Sequence, residues 1–187
     1  MDQSIKLNLG CGQNRLPGYV NVDKNGDPDV YHDLETFPWP WPDNTVSLIV
    51  LKHCLEHLGE KTSTYFGIFQ EMYRICRPHA EIHISVPHPR HDDFINDPTH
   101  VRIVTPSSIR LFSKKLNRHW ADKNFSNSPL GLFLDVDFEI QRISYTLDRE
   151  WQKKLDTGVC SESEIHEAAK RYLNVVAEIN MVLQAVK

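Results

Sequence analysis

Only nine residues, Gly10 to Gly18, separate two apolar runs, Ile5–Leu9 and Tyr19–Val22. A crossover between parallel strands normally takes a dozen residues or more, because the chain must return along the sheet as a helix. This connection has room for a turn or so, closed by Pro17-Gly18. It opens with Gly10-Cys11-Gly12, so the backbone can bend sharply after the strand and offer N–H groups to a polar or anionic ligand. A dinucleotide fingerprint would place a third glycine at position 15 and an acid about 20 residues further on. Here Arg15 occupies the first place, and Asp23 follows Gly12 by only 11 residues.

Further apolar runs predict strands at Val46–Leu51 and Ala80–Val86, with a weaker one near Asp29–His32. Between them, Tyr65, Phe66, Phe69, Met72, Tyr73 and Cys76 recur at spacings of three and four, one face of a helix over Ser63–Cys76. Pro106-Ser107-Ser108 opens a helix to about Leu116. Leu130–Leu134 and Phe138–Leu147 read as a closing antiparallel pair. Ser161 with Glu164 forms a capping box. From it, apolar residues at Ile165, Ala168, Tyr172, Val175, Ile179, Val182 and Val186 trace a heptad seam, which predicts one helix to Val186. Strands alternating with helices imply an α/β fold: a mainly parallel sheet with an antiparallel closing strand, helices on both faces and a C-terminal helix. The expected division is a single domain over 1–150 and a helical extension over 151–187. That extension either packs on the domain or forms the seam of a homodimer.

The formal net charge is −4 and the lysines and arginines are scattered, so duplex nucleic acid is not an expected partner. No apolar run approaches the ~20 residues that span a bilayer, and MDQSIK lacks a signal peptide's apolar segment; no membrane association is expected. The four cysteines, Cys11, Cys54, Cys76 and Cys160, form no C-x-x-C pair, which suits a reducing cytoplasm.

Ligands of such sheets sit outside the carboxyl ends of the strands. A shortened loop offers less helix dipole than a pyrophosphate wants, but enough for one carboxylate. Asp23, ending the second strand, can accept from a ribose diol, and Asp33, after the third, from an adenine amino group. A carboxylate, a ribose and an adenine together describe S-adenosylmethionine (SAM).

Residues 5 to about 112 resemble a class I SAM-dependent methyltransferase of the type 11 kind, with its Rossmann-like fold. LNLGCG (7–12) is similar to that family's first motif and YVNVD (19–23) to its ribose-binding strand. HDLETFPWPWPDNTVSLIVLKHCLEHL (32–58) matches its D-L-x-x-L-P-F-P-D-N-S-F-D stretch. FQEMYRICRP (69–78) resembles the turn before its fifth strand. Two positions depart from the pattern: Asn8 stands where an acid is common, and His79-Ala80 replaces Gly-Gly. The resemblance implies that Gly10, Cys11 and Gly12 line the methionine moiety, with Asn14 also among the cofactor-binding residues. It places Asp23 on the ribose, Lys24 on the adenine face, Asp33 and Leu34 at the adenine edge, and Lys52 and His53 over the cofactor. DPTHVR (97–102) resembles a turn in small methyltransferases associated with sugar and polysaccharide genes.

Methyl transfer is an in-line displacement in which the protein mainly aligns the reactants. The expected acceptor is a small molecule or glycan, methylated on a hydroxyl. Such an acceptor needs a base, usually histidine. His57, His91 and His100 are the candidates. Two other readings remain: a non-catalytic SAM-binding domain, and a metal-dependent hydrolase built on HCLEH (53–57), which spells H-x-x-E-H. The segment after Leu55 is too short for a peptidase helix. An acid-x-x-Glu-His run helps bind a divalent metal in ubiquinone-pathway and small-RNA 3′-end methyltransferases, but His53 stands here in place of the first acid, so Glu56 and His57 are not expected to hold one.

Overall fold

The computed structural model describes residues 4–187; residues 1–3, with which the expected domain begins, lie outside the described residues. Seven strands form one sheet in the order β3-β2-β1-β4-β5-β7-β6. β1 (Ile5–Leu9), β2 (Val20–Asp23), β3 (Val30–Tyr31), β4 (Val46–Lys52) and β5 (Cys76–Pro87) run parallel. β6 (Phe138–Leu147) and β7 (Val176–Ala185) are antiparallel, and β7 lies between β5 and β6. The expected mainly parallel α/β sheet with an antiparallel closing strand is present.

Apolar residues alternate with polar ones along β1 (IKLNL) and β5 (AEIHISV within it), so one face of each strand supplies most of the core. Leu7, Leu9, Ile49, Leu51, Ile82 and Ile84 are buried accordingly. Helix α1 (Thr62–Ile75) lays Tyr65, Ile68, Phe69, Met72 and Ile75 on the sheet. Phe69 stacks on Phe112 at 4.0 Å and meets Phe138 edge-on at 5.8 Å. Each such side chain contributes about 1.5–3 kcal/mol on burial. Trp39 and Trp41, from the Pro-rich run before β4, are buried as well. Arg74 holds that run by donating to the carbonyls of Trp39 (3.0 Å) and Trp41 (2.9 Å).

Three expectations are corrected. Residues 106–116 form two helices, α3 (Pro106–Arg110) and α4 (Lys114–Asp122); a short α2 (Asp92–Ile95) precedes them. The break falls at Ser113, whose hydroxyl caps the second helix by accepting from Leu116 N–H at 3.2 Å. Leu130–Leu134 is no strand: α5 (Leu130–Phe133) packs beside α4. The largest correction concerns the tail. α6 (Arg149–Asp156) is followed by α7 (Glu162–Arg171), which starts at the predicted capping box but ends at Arg171. Asn174 then takes a left-handed φ of 56°, and the chain continues as β7. Ile179, Met181, Leu183 and Ala185 are buried at a period of two inside the sheet. The helical seam expected for a dimer is therefore absent, and residues 176–185 belong to the same sheet as residues 5–87.

Candidate functional site

The nine-residue connection after β1 keeps its shape through side-chain amides. The buried Asn8 donates through Nδ2 to the Asn14 carbonyl and to Asn21 Oδ1, both at 2.9 Å. Asn21 Oδ1 also accepts from Leu16 N–H at 2.7 Å, and Asn21 Nδ2 donates to Asp29 Oδ2 at 2.8 Å. Arg15 closes the network on Asp29. The Asn21 backbone N–H, which also donates to Asp29 Oδ2 at 2.8 Å, and then the Asn21 side chain hold the Asp29 carboxyl below the usual carboxylate range. A missing helix leaves loop N–H and C=O groups to be satisfied elsewhere, and the amides perform that task. Asn8, a departure from the family pattern, is thus the loop's anchor.

Gly10 and Gly12 both have left-handed φ, 65° and 50°. Asp23 accepts from Gly12 N–H (2.8 Å) and from Asn25 N–H (2.9 Å), which ties the end of β2 to the loop. A cleft of about 190 Å³ opens at the carboxyl ends of β1, β2 and β4, lined by Gly10, Asp23, Lys24, Asp33, Leu34, His53, Cys54, His57 and Leu58. Lys24 Nζ lies 3.5 Å from Asp33 Oδ2. A second opening, on the outer side of the loop, shares Asp23 and is bordered by Gly12, Gln13 and Arg15. A larger cleft of about 270 Å³ lies between α3, α4 and β6, away from these strand ends.

The structure thus gathers Gly10, Asp23, Lys24, Asp33, Leu34, His53 and His57 around one cleft. Cys11 is buried beneath the loop, where burial and then Asp23 raise its thiol. Gly12 borders the second opening, Asn14 contributes its carbonyl to Asn8, and Lys52 is exposed; none of these three lines the cleft. Cys54 and Leu58 line it without having been singled out. Cys54 is packed so closely that a Cβ on Gly10 would lie 2.2 Å from its sulfur. Burial pushes the Cys54 thiol up, out of reach of ionisation at neutral pH.

The histidines separate. His53 has a left-handed φ of 50°, a sparsely populated conformation for a residue with a Cβ. Its Nε2 lies 2.7 Å from Glu178 of β7, while Nδ1 lies 3.5 Å from Glu56. Those two carboxylates, Glu56 first and against partial desolvation, raise its pKa. Glu178 came from the stretch read as helix, so no signal in the sequence pointed to it. The H-x-x-E-H reading fails on geometry: residues 55–57 make a single 3-10 turn, and His53 faces Glu178. His91 is corrected as a base candidate. Its Nδ1 accepts from Asp93 N–H at 3.1 Å as the cap of α2, its Nε2 is 3.5 Å from Asp148, and it does not line the cleft. His100 packs against Phe94, with its ring 4.6 Å from that of His57. Arg102 lies over the Tyr65 ring and donates to the Gly59 carbonyl.

No protein-family model and no curated protein matches the chain. Solved structures do resemble it. A SAM-dependent methyltransferase from Archaeoglobus fulgidus superposes with a TM-score of 0.63 at 20% identity, over 98% of this chain and 87% of that one. A SAM-dependent methyltransferase from Methanosarcina mazei gives 0.54 at 11% identity, over 100% and 94%. The cyclase SpnF gives 0.53 at 12% identity, over 100% and 77%. The chain has the Rossmann-like fold of class I SAM-dependent methyltransferases.

Proposed function

We propose that this chain is a SAM-dependent methyltransferase acting on a hydroxyl of a small molecule or glycan. The observation that carries the reading is the convergence of Gly10, Asp23, Lys24, Asp33 and Leu34 on one cleft at the strand ends. The residues fit the cofactor: two carboxylates suit a ribose diol and an adenine amino group, and Leu34, Cys54 and Leu58 supply apolar surface for the ring. The bound cofactor would supply an activated methyl group on a sulfonium. Asp23 would exchange its backbone partners for ribose hydroxyls, and the glycine loop would leave space for the amino-acid end. His57 lines the cleft and His100 lies beside it, so either could take a hydroxyl proton. Fold alone does not decide activity, since SpnF has the same architecture and is a cyclase. The second reading is therefore a SAM-binding domain without methyl transfer.

Titration calorimetry tests both. SAM and its demethylated product should each bind the wild-type chain, and Asp23→Ala should weaken both by about 10–100-fold, since hydrogen bonds to a charged group contribute about 1.5–3 kcal/mol. Absence of heat with either ligand in folded protein overturns the proposal. Product release on incubating SAM with candidate glycans separates the enzyme from the silent domain.

A further inference from the structure

The edge of a sheet presents a row of backbone N–H and C=O groups, and folded proteins keep such edges short or covered. The two edges of this sheet differ. β3, at one side, has only two residues, Val30–Tyr31. β6, at the other, has ten, Phe138–Leu147, and its strand partner is β7 alone. Phe138 N–H donates to the Phe112 carbonyl at 3.1 Å, which closes the first position of that edge. Among the described residues, no backbone group of residues 139–146 has a backbone partner outside the β6–β7 ladder. Gln141, Arg142, Ser144, Tyr145 and Thr146 are exposed.

The cleft of about 270 Å³ between α3, α4 and β6 opens along this edge. Half-buried Leu116, Ile140 and Ile143 form its apolar part, and exposed Arg110, Lys115 and Arg142 its charged part. Glu139 is the one acid in the lining and lies 3.9 Å from Lys115, so two of the three cations have no countercharge within the groove. In a chain of net charge −4 that is a local reversal of sign. Ile140 and Ile143 stand opposite the buried Leu183 and Met181, whereas Arg142 stands opposite Val182 on the other face of the sheet. The register shifts between Ile140 and Arg142, and the extra residue, Gln141, bends the strand there.

We infer that the open edge of β6 takes an extended acidic peptide, which adds an eighth strand to the sheet. Strand addition needs N–H donors and C=O acceptors in alternation, which residues 139–146 offer and another polypeptide answers in kind. Nucleic acid would meet the cations but brings no such row. A second copy of this chain would bring the row, but it would also set its own Arg110, Lys115 and Arg142 against the same cations, and like charges across an interface exclude a partner. The bend at Gln141 further opposes edge-to-edge pairing of two copies. An acidic strand suits all three features, because its alternate side chains point to opposite faces. Apolar ones in its middle would cover Leu116, Ile140 and Ile143. Acids on the other face would meet Arg142, and acids at its ends would meet Arg110 and Lys115.

The groove lies away from the strand ends, so the test needs no SAM and its outcome is independent of the proposed function. The probe is the peptide Glu-Glu-Val-Glu-Leu-Glu-Glu, labelled with fluorescein and titrated by anisotropy with the full-length protein. The expected result is saturable binding of one peptide per chain, with slowed hydrogen exchange over residues 140–146. A fully N-methylated peptide keeps every charge but no N–H, and should bind at least about 10-fold more weakly. The variant Arg110→Glu/Lys115→Glu/Arg142→Glu should also lose about 10-fold or more for the acidic peptide, and should gain binding of a peptide with lysine in place of each glutamate. All three residues are exposed; should that variant not fold, Arg142→Glu decides with a loss of about threefold or more. Absence of saturable binding, equal affinity for the N-methylated peptide, or unchanged affinity in the variants overturns the inference. So does a thymidine oligonucleotide that binds as tightly as the peptide. Concentration-dependent dimerisation that slows exchange over residues 140–146 without peptide would assign the edge to a second copy and equally overturn it.

Discussion

Replacing Gly10 by alanine separates the two reasons for a glycine in the loop after β1. One is backbone conformation: φ is +65° at Gly10 and +50° at Gly12, and a left-handed residue with a Cβ costs about 1–2 kcal/mol. The other is space. A Cβ on Gly10 would sit 2.2 Å from Cys54 Sγ and 2.9 Å from Cys54 Cβ, whereas a Cβ on Gly12 meets nothing within 4 Å. Overpacking of that kind adds about 1–3 kcal/mol. Gly12→Ala should therefore destabilise by about 1–2 kcal/mol, and Gly10→Ala by roughly 2–5 kcal/mol. At about 2–4 °C per kcal/mol for a chain of this size, Gly10→Ala should lower the melting temperature by roughly 4–20 °C. Cys54→Ala removes the sulfur, so the Gly10→Ala/Cys54→Ala double variant should recover part of the loss, with a coupling of about 1–2 kcal/mol. Thermal and urea melts of the four variants and wild type complete the cycle. Equal losses for the two glycines, or no coupling to Cys54, would refute the packing of Cys54 against the loop.

Two further outcomes are expected. Leu183→Ala, in the middle of β7 opposite Ile82 and Ile140, should cost about 2–5 kcal/mol, with a melting temperature independent of protein concentration; a concentration-dependent loss would restore the dimer seam. Hydrogen bonds from Arg74, ahead of the Trp39 N–H, hold the Glu71 carboxyl below the usual range. Its folded pKa lies below the unfolded value of about 4.3, so its contribution is complete above that pH and is lost as pH falls through the folded value. Arg74→Met should therefore lower stability at pH 7 and flatten the acid limb between about pH 5 and 3, which urea melts across that range would detect; an unchanged limb would count against the pair.

Much of the lining of the cleft at the strand ends was legible because it is local. A glycine turn after one strand, an acid ending the next and an acid after the third are each set within a few residues of chain. The sheet then aligns them, since parallel strands deliver their carboxyl ends to one edge. The first five strands were legible for a related reason: each is a short apolar-rich run, and pairs such as Leu7 and Leu9 or Ile82 and Ile84 recur at a strand's period of two. What the chain could not reveal on its own were the pairings between distant segments. Apolar residues at 175, 179, 182 and 186 satisfy a helical period, yet Ile179, Met181, Leu183 and Ala185 satisfy a strand's just as well. The choice between them was made by the open edge of β5, whose unpaired N–H and C=O groups need a neighbour. The same docking brought Glu178 to His53, and the fold of the segment after β5 brought His100 to Glu56 and His57 while withdrawing His91. Local spacing determined which residues stand at the strand ends; only the closing of the sheet and its loops decided which of them meet, because that depends on hydrogen bonds and burial between segments some 40 to 130 residues apart.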